Sequence, residues 1–175
     1  LSGNGLTGGL PARIGSLKLL QTLNLSNNKL TGDLRQLCGL VALRDLDISS
    51  NGFRDSLAGV LCCLIHLERA QLSNNRLYGS VPVCLADLQR LVFLDAHMNE
   101  ISGTLPSELG ALTALGSLNL RHNELTGSLP AAWGGAIPTK TLQKGVSALT
   151  ALTGLQTLDL GANRLIGGIP AEWAS

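Results

Sequence analysis

The apolar positions of the chain fall into one frame that returns along its length. Around Asn28 the frame reads Leu17, Leu20, Leu23, Leu25, Asn28, Leu30, Gly32, Leu34, and it returns as Leu112, Leu115, Leu118, Leu120, Asn123, Leu125, Gly127, Leu129, Pro130. Aligned on the asparagine, Asn4, Asn28, Asn51, Asn75, Asn99, Asn123 and Asn163 follow one another at intervals of 24, 23, 24, 24, 24 and 40. Self-similarity at a fixed period of this length marks a stack of repeated units. Within a unit, Leu23-Asn24-Leu25 alternates with period two, so the leucines face one side and Asn24 the other, as in a short strand with one buried face. Parallel pairing of successive strands needs a crossover of at least about a dozen residues, which a 24-residue period supplies. One coil cannot bury its leucines alone, but stacked neighbours share a continuous aliphatic interior. The pattern predicts an α/β repeat solenoid with one parallel sheet.

The polar positions of the frame mark its turns. Each repeated asparagine stands where the strand leaves the sheet, and its amide can both donate and accept to backbone groups that lose ladder partners there. We therefore expect a structural asparagine ladder at all seven positions. LeuPro at 10–11, 105–106 and 129–130, ValPro at 81–82 and IlePro at 169–170 mark an extended passage after the strand. Two coils lack this punctuation: the second, one residue short, reads Gly32-Asp33-Leu34-Arg35, and the third reads Phe53-Arg54-Asp55-Ser56-Leu57-Ala58. The interval of 40 before Asn163 is one period of 24 with 16 left over, too few for a second full coil. That stretch carries a loop signal, Gly134-Gly135-Ala136-Ile137-Pro138, then Leu142, Val146 and Leu149 at helical spacing, which predicts a long loop with a helix on the convex or rim side.

Composition narrows the function. Of 175 residues 39 are Leu, and only 14% are charged. Thirteen Lys and Arg against twelve Asp and Glu give a net charge of +1, which supplies no broad field for a phosphate backbone or an anionic lipid surface. The five aromatics, Phe53, Tyr78, Phe93, Trp133 and Trp173, leave little for base stacking or an aromatic cofactor box. No apolar run of membrane-spanning length and no secretory leader pattern occurs in the sequence.

The pattern LxxLxxLxLxxNxLxGxLP resembles the leucine-rich repeat, and the LxGxLP half with its 24-residue period is similar to the plant-type class. The resemblance covers nearly all of the chain. It implies a right-handed horseshoe with a concave parallel sheet and short helical or 3-10 segments on the convex side. It brings in the ectodomains of receptor-like kinases, receptor-like proteins and polygalacturonase-inhibiting proteins. Residues 1–175 are read as a single leucine-rich-repeat domain of about seven coils, the first and last partial, with the inserted stretch near 134–150. The chain opens and closes inside a coil and lacks the paired-cysteine caps of the family, so a piece of a longer solenoid is expected.

Four cysteines carry two readings. Cys38 and Cys62 share a frame position, two before the next leucine, where other coils have Gly15, Ala86 and Gly110. The favoured reading makes them small buried thiols. A Cys38–Cys62 bridge between coils stacked about 4.8 Å apart is the alternative. No CxxC, HExxH or zinc-spaced cluster occurs, and no metal or cofactor is expected. Gly3-Asn4-Gly5-Leu6-Thr7-Gly8 matches GxGxxG by accident, since the repeat frame accounts for it. Asn24-Leu25-Ser26 is a glycosylation sequon, which arises wherever a coil reads LeuAsnLeuSer.

Function must then come from the outward strand positions. The first outward row is Thr22, Asp45, Arg69, Phe93, Ser117 and Thr157; the second is Asn24, Asp47, Gln71, Asp95, Asn119 and Asp159. Two further rows follow: Ser26, Ser49, Ser73, His97, Arg121, Gly161, then Asn27, Ser50, Asn74, Met98, His122, Ala162. Arg69, Phe93, Asp95, His97, Met98, Arg121 and His122 replace the usual small polar residues on adjacent coils. An aromatic, a Met and an Arg together have the composition of a binding hot spot. We expect a monomeric extracellular or cell-surface module that binds a protein, peptide or carbohydrate ligand on this face, without nucleic acid or membrane contact. The alternative is an intracellular or structural scaffold with no dedicated ligand site. Ser, His and Asp occur without a nucleophile elbow, so no enzyme is expected.

Overall fold

The computed structural model describes residues 1–134 and 152–174. Six strands, Thr22–Asn24, Asp45–Asp47, Arg69–Gln71, Phe93–Asp95, Ser117–Asn119 and Thr157–Asp159, pair in chain order as one parallel sheet on the concave side of a horseshoe. The register is the frame itself, with Leu23, Leu46, Ala70, Leu94, Leu118 and Leu158 aligned across it. The aligned side chains enter a continuous core with the rest of each coil's leucines, and Leu34, Leu37, Leu40, Leu43, Leu46 and Ile48 are all buried in a single turn of the solenoid. A second run of short parallel strands follows the first. It divides into a three-stranded sheet ending at Gly52–Phe53 and a four-stranded sheet beginning at Tyr78–Ser80.

Between the two runs stand the asparagines. The Asn75 amide donates to the Leu72, Ser73 and Ile48 carbonyls, and its Oδ1 accepts from the Phe53 backbone N–H. Asn28, Asn51, Asn99, Asn123 and Asn163 repeat this set of bonds one coil apart. Each closes its own turn and ties it to the preceding coil. Asn4 keeps the bonds to its own turn, to the Leu1 and Ser2 carbonyls.

On the convex side most coils cross in a 3-10 turn introduced by proline. Pro11, Pro82, Pro106 and Pro130 hold φ between −67° and −80° there, the value that the ring imposes. The two coils without proline solve the crossing differently. In the second, Leu34 enters the 3-10 turn Arg35–Gly39 directly. In the third, Ser56 caps an α-helical turn, Leu57–Leu61, its Oγ accepting from the Gly59 N–H at 3.0 Å. This is also where the second run of strands divides. Beside it, Arg35 lies 2.8 Å from Asp33 and holds that carboxyl below the ordinary carboxylate range, but the guanidinium is exposed and the pair adds little stability.

The convex side overturns the cysteine reading. Cys38 bonds Cys63 and Cys62 bonds Cys84, with Cα separations of 5.2 and 5.6 Å. The thiols are not free, Cys38 is exposed rather than buried, and neither bridge is Cys38–Cys62. Registry set by the strands does not carry across to the convex side: Cys38 meets the residue after its frame equivalent, and Cys62 meets Cys84, two positions before Ala86. Cys62 and Cys63 stand in the turn that closes the α-helical segment and reach opposite neighbours, the fourth coil and the second. The offset also occurs between two 3-10 turns: the close partner of Gly15 is Gly39, whose backbone leaves no room for a Cβ, and not the frame-equivalent Cys38.

The insertion leaves the sheet intact. Ser117, Leu118 and Asn119 pair with Thr157, Leu158 and Asp159 as if no residues had been added. The Leu152 N–H donates to the Trp133 carbonyl at 3.2 Å, so the insertion leaves and rejoins the coil at one point. The helix expected at Leu142, Val146 and Leu149 lies outside the described residues. Trp133 and Trp173 brace this region: their rings stack 6.2 Å apart, and their indole N–H groups donate to the Pro106 and Pro130 carbonyls of the preceding coils. Trp133→Phe keeps a buried ring but leaves the Pro106 carbonyl with the Leu109 N–H alone, and is expected to cost about 1 kcal/mol, read as a lower thermal midpoint.

Candidate functional site

The sheet presents its first outward row as direct neighbours, because register follows the leucines. Arg69 and Phe93 are paired positions, and the guanidinium lies over the ring at 4.7 Å from its centroid. Such a contact fixes a long flexible side chain against a rigid one and contributes about 0.5–1 kcal/mol at an exposed site.

The second row has a local duty as well as an outward face. Asn24 and Asp47 accept from both the backbone N–H and the hydroxyl of the serine two residues on, Ser26 and Ser49. Asp95 does the same with His97, whose Nδ1 replaces the serine hydroxyl at 2.7 Å from Asp95 Oδ1. That contact requires the proton on Nδ1, so the Asn119 amide 3.5 Å away is a neighbour of the ring and not its donor. The imidazole is thus held upright on the sheet with Nε2 left to accept from a ligand when the ring is neutral. Asp95 divides its carboxylate between this turn and solvent.

Arg121 is exposed, with Nη1 3.7 Å from Asp159 Oδ2 on the next strand. A Cβ at Gly161 would stand 3.0 Å from that nitrogen, so glycine there lets the guanidinium lie across the neighbouring coil. Arg69 also belongs to a shallow depression of about 210 Å³ lined by Thr22, Asn24, Asp45, Asp47 and Gln71. None of the other six candidates borders it. The seven residues form an open strip over three coils and do not converge on a pocket. Among the described residues no cluster of three or more His, Cys, Asp or Glu approaches a metal geometry.

Family models for leucine-rich repeats match residues 18–60, as two copies, and residues 114–136 and 154–175. The Arabidopsis receptor kinase HAESA, solved with the peptide hormone IDA and the co-receptor SERK1, is 32% identical over 99% of this chain with a TM-score of 0.85. The chain is a plant-type leucine-rich-repeat protein. The PEPR1–AtPEP1 complex is 31% identical over 95% of the chain with a TM-score of 0.78, and the plant peptide hormone receptor RGFR1 with RGF2 is 26% identical over 97% with a TM-score of 0.77. The chain spans only 27%, 21% and 29% of the length of those three chains. A search of curated protein sequences finds no match.

The leucine-rich-repeat frame also explains where Met98 and His122 stand. Both lie in the left-handed region, with φ of 54° and 52°, at the position that Asn27, Ser50, Asn74 and Ala162 occupy in other coils. Left-handed backbone favours Gly and Asn and costs other residues about 1 kcal/mol or more. Met98 is 49% exposed, so no buried contact repays that cost. Met98→Asn is therefore expected to raise stability by about 1 kcal/mol, measured as a higher denaturation midpoint, while removing an apolar surface from the strip.

Sequence reading missed one feature of this leucine-rich-repeat face. Arg44 and Glu68 precede adjacent strands at the same frame position and pair at 2.6 Å beside the depression. Opposite charges one coil apart at an equal position are a usable signal once the period is known.

Proposed function

We propose that residues 1–175 form one domain, a monomeric segment of a receptor-like or inhibitor-like ectodomain that binds a peptide or protein through Arg69, Phe93, Asp95, His97, Met98, Arg121 and His122. The observation that carries this reading is the contact of Arg69 with Phe93 on paired strand positions, with Arg121 one coil further on. It provides an aromatic anchor already immobilised, flanked by two guanidinium groups that can reach carboxylates or backbone carbonyls. Hot spots are made of such residues, and preorganisation lowers the entropic cost of binding. HAESA, solved with the peptide hormone IDA, and the plant peptide hormone receptor RGFR1, solved with RGF2, support the same class of ligand.

Two bridged cysteine pairs support an extracellular or cell-surface location, since such bonds persist in oxidising compartments. They weigh against an intracellular scaffold. Among the described residues no helix is long and apolar enough to cross a membrane.

Peptides selected from a random displayed library on this chain test the proposal. Those that bind the strip lose affinity on Phe93→Ala or Arg121→Ala, each by about 2 kcal/mol or roughly 30-fold. Selected peptides that bind both variants as tightly as the native chain would place recognition elsewhere.

A further inference from the structure

We infer that Asn24 is a site of N-linked glycosylation, and that its glycan covers the first described strands of the concave sheet and sets one boundary of the ligand face. Asparagine must be followed two residues on by Ser or Thr. The ladder asparagines can never satisfy this, because the frame places an apolar residue there: Leu6, Leu30, Phe53, Leu77, Ile101, Leu125 and Leu165. Asn119 is followed by Arg121. Only Asn24, with Ser26, meets the requirement in this sequence.

The folded structure then decides whether a sugar can be carried. From Asn28 onward, each ladder asparagine spends its amide nitrogen on several backbone carbonyls, and a glycan there would unmake the turn. Asn24 differs on every count. It is exposed on a strand, its Oδ1 is engaged by the Ser26 N–H and hydroxyl, and its Nδ2 donates to no protein group among the described residues. Substitution at Nδ2 therefore costs the fold nothing that is present. Disulfides between three successive coils supply the second condition, passage through the oxidising secretory route where the transfer occurs.

The donor is an oligosaccharide joined through pyrophosphate to a polyprenyl lipid, presented by an oligosaccharyl transferase. Nδ2 attacks the anomeric carbon, and the carbon–nitrogen bond forms as the bond from that carbon to the pyrophosphate oxygen breaks. The lipid pyrophosphate leaves with the bonding pair, one amide proton passes to a base, and nothing is oxidised or reduced. Asn24 lines the depression that also holds Asp45, Asp47 and Arg69. A sugar rooted there stands over the two carboxylates and leaves the face from Phe93 to Asp159 open. This consequence for ligand access rests on the concave-face reading; the modification itself does not.

Cell-free translation of the full chain behind a cleavable leader, with microsomal membranes, tests it. Protease-protected chain is expected to migrate as a heavier species that an endoglycosidase returns to the unmodified position. Asn24→Gln and Ser26→Ala should each abolish the heavier species, and Asn27→Gln should retain it. Protected chain that shows no shift overturns the assignment, as does a shift that survives Asn24→Gln. Carbodiimide labelling reads the second half: Asp45 and Asp47 are expected to react several-fold more slowly in the glycosylated chain. Equal labelling rates would confine the glycan to the rim and overturn the boundary.

Discussion

Replacing Cys62 and Cys63 together by alanine is expected to lower stability by about 7 kcal/mol, enough to leave the third coil unfolded at room temperature. The two bonds join cysteines separated by 25 and 22 positions in the chain. Each loop, by the loss of freedom imposed on the unfolded chain, is worth about 3.5 kcal/mol. A whole domain has a net stability of only about 5–15 kcal/mol. The effect is local in origin and wide in reach, because a solenoid holds together through contacts between nearest neighbours. Three coils are involved, and the third has the least regular path: no proline, an α-helical crossing, and a division in its second run of strands. Cys38→Ala opens one bridge and Cys84→Ala the other, so each should lose about half as much. Urea denaturation with and without a phosphine reductant measures this. Reductant should shift the native midpoint far down and leave the double variant unchanged. A native protein that alkylates on four thiols without reductant would end the argument.

How much of this could be read beforehand follows from what kind of contact each feature uses. The solenoid and its parallel sheet were legible because Leu23, Leu46, Leu94 and Leu118 sit in one frame, and the frame is the register. The neighbour relation of Arg69 and Phe93 follows from the same count. The disulfides were not legible by it. Counting places Cys38 opposite Cys62, but convex segments are free to wind as 3-10 or α turns and do not keep the register of the strands, as Gly15 against Gly39 and Cys38 against Cys63 both show. The sharing of Asp95 between a turn and solvent was also hidden, since an Asp in an outward row looks free in sequence. Period informs the placement of residues; it says little about which neighbour a polar atom chooses.

The ladder asparagines put that last point to a quantitative test. Asn123 is buried, and its Oδ1 accepts from the Ile101 N–H at 3.0 Å while its amide donates to the Ala96 and Leu120 carbonyls at 3.0 Å each. Ile101, Ala96 and Leu120 are themselves fully buried, so water cannot replace the lost partner. Asn123→Leu matches the apolar surroundings and the approximate volume, yet leaves the Ile101 N–H unpaired and takes one donor from each of two carbonyls, Ala96 and Leu120, which keep the amides of Asn99 and Asn163. At about 1–3 kcal/mol for one orphaned buried donor, with two carbonyls each short of a bond, the expected loss is about 2–3 kcal/mol. Asn123→Asp preserves the acceptor for Ile101 but turns a charged oxygen toward carbonyls, and should be no better tolerated. Position along the solenoid gives the control. Asn28 makes the same set of bonds, but its partners in the preceding coil, the Leu1 carbonyl and Leu6 N–H, are exposed. Water can take over there, and Asn28→Leu should cost about 1 kcal/mol or less. Chemical denaturation of the two leucine variants measures the difference. Equal losses at Asn28 and Asn123 would mean that the asparagine acts through its own backbone conformation, and that its ties to the neighbouring coil are incidental.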